Sequence, residues 1–402
     1  MKLGILREGK LPPDKRVPFS PRQCKEIIKR FPDTEVFVQS SKIRCFSDQE
    51  YRDAGIQVVE NLDHCEVLMG VKEVPVDDLI PNKTYFFFSH TIKKQVYNRK
   101  LLQTIVRNNI RLIDYEVLTG TNGMRIIGFG RFAGLVGAYN GLLTFGKRNK
   151  LFDLKPAHLC DDLSEMKKNV KDLKLPPVKI VVTGDGRVAN GALELLGEIP
   201  VGQVSVEEYL NTKSLEEVVF AQLHPGDYNK HRTDKEFELL HFFNHPEEYA
   251  GNFLRFCSQT DLLIAAAFWD PKAPVLFSSE DMKNEDFRIK VIADITCDID
   301  GSVPSTKMAS SIEDPVYDYN PQTGELQKAF SSEKNITVMA VDNLPCELPK
   351  DASIDFGKNL IEKVLPHLVG DDTDGIIQRA SITENGKLTE RFEYLRDYLD
   401  RE

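Results

Sequence analysis

Short apolar runs recur along the first third of the chain, with amphipathic stretches between them. This alternation of strand-like and helix-like patterns predicts a mostly parallel β-sheet. The predicted strands are 2–6, 35–39, 66–71, 84–89 and 110–115, and the predicted helices are 21–30 and 92–106.

A second alternating series follows a segment at 131–148 that is rich in glycine and alanine and has apolar residues near helical spacing. This composition predicts a helix that packs closely against a neighbour. The later predicted strands are 178–183, 203–206, 261–266, 288–295 and 336–341, and helices are predicted at 351–368 and 387–401. The two series predict an α/β fold with two domains.

Size and composition narrow the classes of function. A chain of 402 residues exceeds the size at which one hydrophobic core usually stops growing. Its formal net charge of −10 offers no basic surface for nucleic acid, so we expect small-molecule chemistry. Its 7 cysteines are scattered without a C-x-x-C pair, which indicates thiols in a reducing compartment. No signal peptide or membrane span is evident, and we expect a cytoplasmic protein.

Two candidate acid–base residues follow two of the predicted strands. Lys72 comes after strand 66–71, and His90 comes after strand 84–89, which contains three consecutive phenylalanines. Such a run is typical of a strand buried on both faces, and open α/β sheets bind their ligands at the carboxyl ends of strands. Lys72 and His90 are therefore the first candidates for proton transfer. The alternatives are a solvated lysine and a helix-capping histidine.

A nucleotide-binding signature follows strand 178–183. Gly184, Gly186 and Ala189 fit the pattern G-x-G-x-x-A, with Arg187 and Val188 between them. The first glycine permits a tight turn, the second lets backbone amides approach a pyrophosphate, and the small third residue lets helix and strand pack closely. The signature predicts a bound dinucleotide; the alternative is a glycine turn with a structural role only.

An acidic residue about 20 positions further on is expected to hold the adenosine ribose. Glu207, just after the predicted strand 203–206, is the candidate. Its carboxylate would repel a 2′-phosphate, which favours NAD over NADP. NADP stays an alternative, because Arg187 or Lys213 could reach a phosphate.

The segment 223–257 contains His224, His231, His241 and His245. His241 and His245 have the i,i+4 spacing of a metal-binding pair, but they lack the carboxylate of an H-E-x-x-H motif. No metal site is predicted here.

Several segments in the same order resemble one family of dehydrogenases. These segments are 14–21, 70–72, 87–93, 111–116, 133–137 and 341–345. The chain resembles the family of alanine dehydrogenase, the transhydrogenase nucleotide-binding subunit and the saccharopine dehydrogenases. Its closest resemblance is to the lysine–ketoglutarate reductase domain of aminoadipic semialdehyde synthase.

The resemblance implies two Rossmann-like, doubly wound, parallel-sheet domains with an active site in the cleft between them. We expect residues 1–134 to form the substrate domain, completed by 346–402, and residues 135–345 to form the NAD(P)-binding domain. The resemblance also implies hydride transfer between nicotinamide and a carbon–nitrogen bond.

The resemblance assigns roles to individual residues. Lys72 and His90 carry acid–base duty, and Glu116 tunes their pKa values. Arg16 holds a substrate carboxylate, a task suited to its bidentate fork. The remaining implied site residues are Asp298, with Asp294 and Asp300 as alternatives, and Asp342, Asn343 and Leu344 in a loop that closes on nicotinamide and substrate.

The favoured function is an NAD(P)-dependent saccharopine dehydrogenase, or lysine–2-oxoglutarate reductase. Its substrates would be lysine, 2-oxoglutarate and saccharopine, whose several carboxylates call for cations besides Arg16. Lys93, Lys94, Arg125 and Arg131 are available for this role. Burial or a neighbouring Arg16 would lower the pKa of Lys72 and make it a base. An alanine-dehydrogenase-like enzyme and a catalytically silent nucleotide-binding protein are the alternatives.

Overall fold

The computed structural model describes residues 1–212 and 218–401. Its strands are β1 (Lys2–Ile5), β2 (Glu35–Gln39), β3 (Gln57–Val59), β4 (Val67–Met69), β5 (Thr84–Phe87), β6 (Arg111–Asp114), β7 (Lys179–Thr183), β8 (Gly202–Gln203), β9 (Val219–Leu223), β10 (Asn229–His231), β11 (Tyr249–Gly251), β12 (Leu262–Ala265), β13 (Val291–Asp294), β14 (Val316–Tyr319), β15 (Leu326–Gln327), β16 (Ile336–Met339), β17 (Ser381–Glu384) and β18 (Lys387–Leu388).

Its α-helices are α1 (Pro21–Arg30), α2 (Asp48–Asp53), α3 (Arg99–Arg107), α4 (Gly130–Arg148), α5 (Leu163–Lys171), α6 (Arg187–Leu196), α7 (Val206–Asn211), α8 (Pro225–Tyr228), α9 (Leu239–Asn244), α10 (Leu254–Cys257), α11 (Pro349–Lys363), α12 (Leu365–Val369), α13 (Ile376–Ala380) and α14 (Arg396–Leu399). Local sequence fixes several helix starts. Ser20 and Gln23 form a capping box around Pro21 at the first position of α1. Among the described helices, none is both long and apolar enough to cross a membrane.

The chain forms two compact units, and the first comprises Met1–Phe129 and Pro349–Glu402. Within its described residues, the sheet has the strand order β18-β17-β6-β5-β4-β1-β2-β3. Strands β1 to β6 are parallel, and β17 and β18 are added antiparallel at one edge. The chain winds outward from β1 through β2 and β3, and then from β4 through β5 and β6. The order therefore reverses between β1 and β4, which is the position where doubly wound sheets bind ligands.

Both faces of this sheet are buried. Alternate strand residues, such as Leu3, Met69 and Phe86, pack with α1 and α11 on one face. Their neighbours Leu68, Tyr85 and Phe87 pack with α3 on the other face. Because successive side chains of a strand point to opposite faces, a continuous apolar run fills both cores. This explains the three consecutive phenylalanines at the end of β5.

The second unit comprises Gly130–Leu348. In its described residues, the main sheet has the order β15-β14-β16-β13-β12-β7-β9-β8. Strands β8, β9, β7, β12, β13 and β16 are parallel, whereas β14 and β15 run antiparallel at one edge. A separate antiparallel pair is formed by β10 and β11.

Glycines bring α4 and α6 into backbone contact. A Cβ on Gly134 would lie 1.9 Å from the Val188 carbonyl oxygen, and a Cβ on Gly191 would lie 2.1 Å from the Arg131 carbonyl oxygen. Only glycine fits at such positions. The predicted close packing of the segment 131–148 is therefore confirmed.

The predicted α/β class with two doubly wound, parallel-dominated sheets is confirmed. Two local predictions are wrong. The predicted strand 203–206 is replaced by the two-residue β8, after which Ser205 caps α7. The predicted terminal helix 387–401 begins instead with β18, because that segment pairs with β17 at the sheet edge.

Candidate active site

Four neighbouring strands of the first unit end at one edge of the sheet with polar residues. Glu8 follows β1, Lys72 and Glu73 follow β4, His90 follows β5, and Glu116 follows β6. The order β6-β5-β4-β1 places these strand ends side by side. The predicted strand-end positions of Lys72 and His90 are therefore observed, and the cluster lies next to the reversal of strand order.

Lys72 is partly buried, and its backbone is held by a carboxylate. The amides of Val71 and Lys72 donate to the two Glu8 carboxyl oxygens, at 2.7 and 2.9 Å. Removal from water lowers the pKa of Lys72, and the positive charge of Arg16 lowers it further. This is the direction expected from the sequence. A lysine with a lowered pKa supplies a neutral amine that can accept a proton.

Glu8 is fully buried beneath this loop and is a site residue that the sequence did not reveal. Burial raises its pKa to about 8, and the nearby negative charge of Asp14 adds to the effect. The two amide donors oppose that shift without overcoming it. Glu8 therefore holds a proton near neutral pH, and the loop that carries Lys72 is built around an uncharged carboxyl group.

His90 is fixed by a second carboxylate that the sequence analysis missed. Its Nδ1 lies 2.6 Å from Glu73 Oε1, and Lys10 Nζ lies 2.8 Å from Glu73 Oε2. Burial alone would raise the pKa of Glu73, but the hydrogen bonds from His90 and Lys10 lower it to about 2. The ionised carboxylate can only accept, so His90 donates through Nδ1 and its Nε2 is available for proton exchange.

The backbone of His90 supports the same interpretation. Its φ of 53° is in the left-handed region, which residues other than glycine seldom adopt. Such strain persists only where surrounding contacts impose it. Two contacts hold this conformation. The His90 side chain contacts Glu73, and the backbone amide of the preceding residue, Ser89, donates to Asp114 at 2.9 Å. The helix-capping alternative is not supported, because His90 makes no side-chain capping bond to the turn that follows.

Glu116, which is predicted to tune the pKa values of Lys72 and His90, contacts two cations. Its carboxylate lies 3.2 Å from Arg125 Nη2 and 3.7 Å from Lys93 Nζ. The carboxylate in contact with His90 is Glu73, and the role of Glu116 stays a prediction. The signal for Glu73 was its place directly after Lys72, where a turn brings the two side chains to one strand end.

Arg16 is buried beside Lys72. Its Nε lies 3.0 Å from Asp14 Oδ1, and its Nη2 lies 2.6 Å from Asp14 Oδ2. Its guanidinium carbon also lies 4.2 Å from the centre of the Phe129 ring. This bidentate ion pair fixes the orientation of the fork, and the role of Arg16 toward a substrate carboxylate stays a prediction.

Arg131, the other predicted substrate arginine, belongs to the second unit. It lies in the first turn of α4, and its Nε lies 2.8 Å from Glu194 Oε2 on α6. This ion pair adds to the close packing of α4 and α6. Lys94, a further predicted cation, donates to the Tyr394 carbonyl oxygen at 2.7 Å.

The glycine turn of the second unit has the geometry that a dinucleotide requires. Gly184 has a φ of +95°, and its amide donates to Leu223 at 2.8 Å. Gly186 forms the N-cap of α6 without a side-chain cap, and a Cβ placed on it would meet no atom within 4 Å. Arg187 and Val188 form the first turn, and Ala189 is fully buried. Open space beside uncapped helix amides fits a pyrophosphate.

The strand that precedes Glu207 is the short β8 at the outer edge of the sheet. Strand β9 pairs with β7, and β8 pairs with β9. Glu207 lies exposed in the first turn of α7, and its role toward the adenosine ribose stays a prediction. The residue that follows β9 is His224, whose Nδ1 lies 3.4 Å from Asp185 Oδ2 in the glycine turn. Lys213 lies outside the described residues.

Asp294 ends β13, and Asp298 and Asp300 follow the strand. Asp294 is fully buried and accepts from the Thr296 and Thr306 hydroxyls, both at 2.6 Å. Burial raises the pKa of Asp294. Asp298 is exposed, and Asp300 is paired with Lys307 at 2.6 Å. These contacts give Asp294 a role in holding the loop and leave Asp298 exposed to solvent, where its substrate role stays a prediction.

The predicted nicotinamide loop follows β16. Asp342 is exposed, Asn343 is partly buried and Leu344 is buried. The chain is anchored just before Asp342 by the bridge between Val341 and Ser310. The roles of Asp342, Asn343 and Leu344 toward a nucleotide stay predictions.

Comparisons with known proteins agree with the resemblance. Residues 4–136 match the sequence model of "Alanine dehydrogenase/PNT, N-terminal domain". The chain is 28% identical over 440 residues to the mitochondrial α-aminoadipic semialdehyde synthase of Mus musculus, covering 98% of this chain and 47% of that protein. It thus spans less than half the length of that relative. It is 23% identical over 385 residues to the lysine-forming NAD⁺ saccharopine dehydrogenase of Yarrowia lipolytica, covering 91% and 92%.

Solved structures share the fold. An L-alanine dehydrogenase matches with a TM-score of 0.64 and 19% identity, covering 99% of this chain and 100% of that chain. The transhydrogenase from Sinorhizobium meliloti matches with a TM-score of 0.57 and 15% identity, covering 97% and 99%. The resemblance and the fold class predicted from the sequence are confirmed, and the similar proteins include a saccharopine dehydrogenase and an L-alanine dehydrogenase.

Proposed function

We propose that this protein is an NAD(P)-dependent dehydrogenase of lysine metabolism that acts on the carbon–nitrogen bond of saccharopine. In one direction it would join the ε-amine of lysine to 2-oxoglutarate and reduce the imine. In the other it would oxidise saccharopine and release both compounds. NAD is the favoured cofactor, and NADP is the alternative that the assay below distinguishes.

The observation that carries the proposal is the pair of proton-transfer groups at adjacent strand ends. Lys72 has a lowered pKa, and His90 is oriented by an ionised Glu73. Imine chemistry needs a base that keeps the attacking amine neutral and an acid that protonates the departing carbinolamine oxygen. A partly buried lysine whose pKa is lowered suits the first task. The free Nε2 of the oriented His90 suits the second.

The nucleotide supplies hydride to the imine carbon when it is bound. Gly184, Gly186 and the first turn of α6 would hold its pyrophosphate through backbone amides. Lys72 would take the proton that the ε-ammonium group of lysine must lose before attack. The carbonyl oxygen of 2-oxoglutarate would leave as water with one proton from the attacking amine and one from His90. The protonated imine that remains would accept hydride at carbon without a further proton. Arg16, held by Asp14, would fix a substrate carboxylate.

An alanine-dehydrogenase-like reaction is the second candidate. The match of residues 4–136 and the shared fold favour it. Ammonia would then replace the lysine amine, and the same lysine and histidine would manage the protons. The two reactions differ in the size of the amine.

The substrate assay distinguishes these functions. Absorbance of NADH or NADPH is followed at neutral pH with lysine plus 2-oxoglutarate, and separately with ammonium plus pyruvate. We expect oxidation of NADH that requires both lysine and 2-oxoglutarate. Omission of either compound is the control. Turnover with pyruvate and ammonium alone would favour the second candidate, and no turnover with any mixture would contradict both.

A further inference from the structure

A cluster of two histidines and one glutamate lies in the second unit, on residues that the proposed function does not use. His231 ends β10, His241 lies in α9, and Glu248 comes directly before β11. One ligand atom from each of the three side chains lies within 4.8 Å of the other two. The metal-binding pair suggested by sequence spacing was His241 with His245. In the structure, His231 and not His245 lies with His241 in the cluster, and Glu248 supplies the carboxylate.

Both imidazole rings direct Nε2 toward Oε2 of Glu248. His231 Nε2 lies 3.3 Å and His241 Nε2 lies 3.9 Å from Glu248 Oε2. Tetrahedral zinc with ligands at about 2.0–2.1 Å needs separations between ligand atoms of about 3.4 Å. Small side-chain rotations therefore bring the three atoms to a common centre. Two imidazoles and one carboxylate are a donor set that zinc accepts.

Hydrogen bonds at the other ring nitrogens favour a cation at this centre. Tyr249 donates its hydroxyl proton to the Glu238 carbonyl oxygen at 3.4 Å, so the hydroxyl oxygen accepts from His241 Nδ1 at 3.1 Å. Neutral His241 then presents a lone pair on Nε2 to a carboxylate oxygen. Two acceptors that face each other attract a cation. A partner at the second nitrogen is also typical of histidines that bind metals.

His231 can adopt the same state. Its Nδ1 accepts from the backbone amide of Thr233 at 3.2 Å, which places the ring proton on Nε2 facing Glu248. The Thr233 hydroxyl lies 2.9 Å from the same Nδ1. To bind a metal at Nε2, His231 would shift its ring proton to Nδ1 and give up the hydrogen bond from the Thr233 amide. Its Nδ1 would then donate to the Thr233 hydroxyl oxygen.

The packing of α9 gives the site a physical consequence. None of the residues Leu239–Asn244 is buried, and Leu240 and Phe243 are 69% and 56% exposed. Little apolar burial therefore holds this helix to the unit. His241 is its member of the cluster, whereas His231 and Glu248 belong to the β10–β11 pair.

We propose that His231, His241 and Glu248 bind one zinc ion, which ties α9 to the β10–β11 pair. The site is separate from the acid–base residues of the first unit and does not depend on the reaction that the protein catalyses.

Calorimetric titration of the chelator-treated full chain with Zn²⁺ tests the proposal. We expect one ion per chain in the wild type, and affinity lowered by at least about tenfold in His241→Gln and in Glu248→Gln. His245→Gln and Glu247→Gln are the matched controls, because each neighbours a ligand in sequence and lies outside the cluster; their affinity should stay within about threefold of the wild type. Equal unfolding temperatures in EDTA show that the variants fold.

Hydrogen exchange gives an independent measurement. Zn²⁺ should slow exchange of the amides of Leu239–Asn244 in the wild type and leave them unchanged in Glu248→Gln. A wild type that binds no zinc, or cluster variants that bind it as tightly as the wild type, would overturn the proposal. If zinc does not alter hydrogen exchange in α9, the proposal that zinc ties this helix to the β10–β11 pair is overturned.

Discussion

Glu8 is a buried carboxyl group that holds the backbone at Lys72, the proposed base. Its two oxygens hold the amides of Val71 and Lys72, which favours the ionised form. Burial and the charge of Asp14 favour the protonated form and raise its pKa to about 8. The loop at Lys72 therefore contains a proton that the unfolded chain would release at a lower pH.

This proton predicts a pH dependence of stability for Glu8→Gln. The folded pKa of about 8 exceeds the unfolded value of 4.5, so the contribution of Glu8 is fully present below pH 4.5 and is lost as the pH rises toward 8. The amide variant lacks this titration. Urea unfolding should show that the wild type loses a few kcal/mol relative to Glu8→Gln between pH 5 and pH 9, at about 1.4 kcal/mol per pH unit within the titration range.

Glu26→Gln on α1 is the matched control, because Glu26 is exposed. Its stability difference from the wild type should be the same at both pH values. A difference between wild type and Glu8→Gln that does not change with pH would show that Glu8 is ionised in the folded protein.

Lys72 and His90 could be found from the sequence because both follow strands that the apolar pattern marks. Glu73 has the same signal, because it comes directly after Lys72, whereas Glu8 could not be found in this way. Glu8 lies among Arg7, Gly9 and Lys10, a composition typical of an exposed loop. Only the pairing of β1 with β4 brings it beneath the Lys72 loop.

At the scale of secondary structure, Gly134 in α4 and Gly186 at the start of α6 differ in the space around them. Gly134 faces the Val188 carbonyl oxygen, where a Cβ would lie at 1.9 Å, whereas a Cβ on Gly186 would meet nothing within 4 Å. Gly134 serves the packing of two helices. Gly186 leaves open space at the N-terminus of α6, where the proposed dinucleotide would bind.

The variants Gly134→Ala and Gly186→Ala should separate these roles. Gly134→Ala should lower the free energy of unfolding by about 1–3 kcal/mol or more, because the helices must move apart. Gly186→Ala should unfold like the wild type but bind NADH at least about tenfold more weakly, because the methyl group takes space that the pyrophosphate needs. Urea unfolding and fluorescence titration measure the two effects. Undiminished NADH affinity in Gly186→Ala would contradict the assignment of this turn.

The apolar pattern predicted the strand before this turn but not the position of its neighbour. Strand β9 lies next to β7, although β8 comes first in the chain. Strand order is set by which apolar surfaces meet, and β8 has only two residues, both exposed. The apolar pattern alone therefore could not place the strand before Glu207 in the sheet, and the edge strands β17 and β18 likewise depend on pairing between distant segments.

At the scale of the whole molecule, the two units differ in how the chain builds them. The second is continuous from Gly130 to Leu348, whereas the first combines residues from both ends of the chain. Phe356, Leu360 and Ile377, from the last part of the chain, are buried in the core of the first unit. The apolar patterns predicted the α/β series, and the family resemblance, not the patterns, assigned the final segment to the first unit.

A chain that ends at Leu348 should therefore lose one unit and keep the other. Removal of α11 and β17 exposes the core of the first unit, and each large apolar side chain that loses its burial costs about 2 kcal/mol. Limited proteolysis should degrade 1–129 and leave a resistant fragment that begins near residue 130. The intact chain is the control. Resistance of 1–129 in the truncated chain would show that the final segment is dispensable for the first unit.

The central claim is that Lys72 acts as the base in a reaction at a carbon–nitrogen bond. The direct measurement is kcat for NADH oxidation with lysine and 2-oxoglutarate in the wild type, in Lys72→Met and in Lys25→Met, which removes an exposed lysine of α1. Loss of the base should lower kcat at least about a hundredfold in Lys72→Met while NADH affinity and the unfolding temperature stay unchanged, and Lys25→Met should match the wild type. A Lys72→Met enzyme that keeps the wild-type kcat would contradict the account.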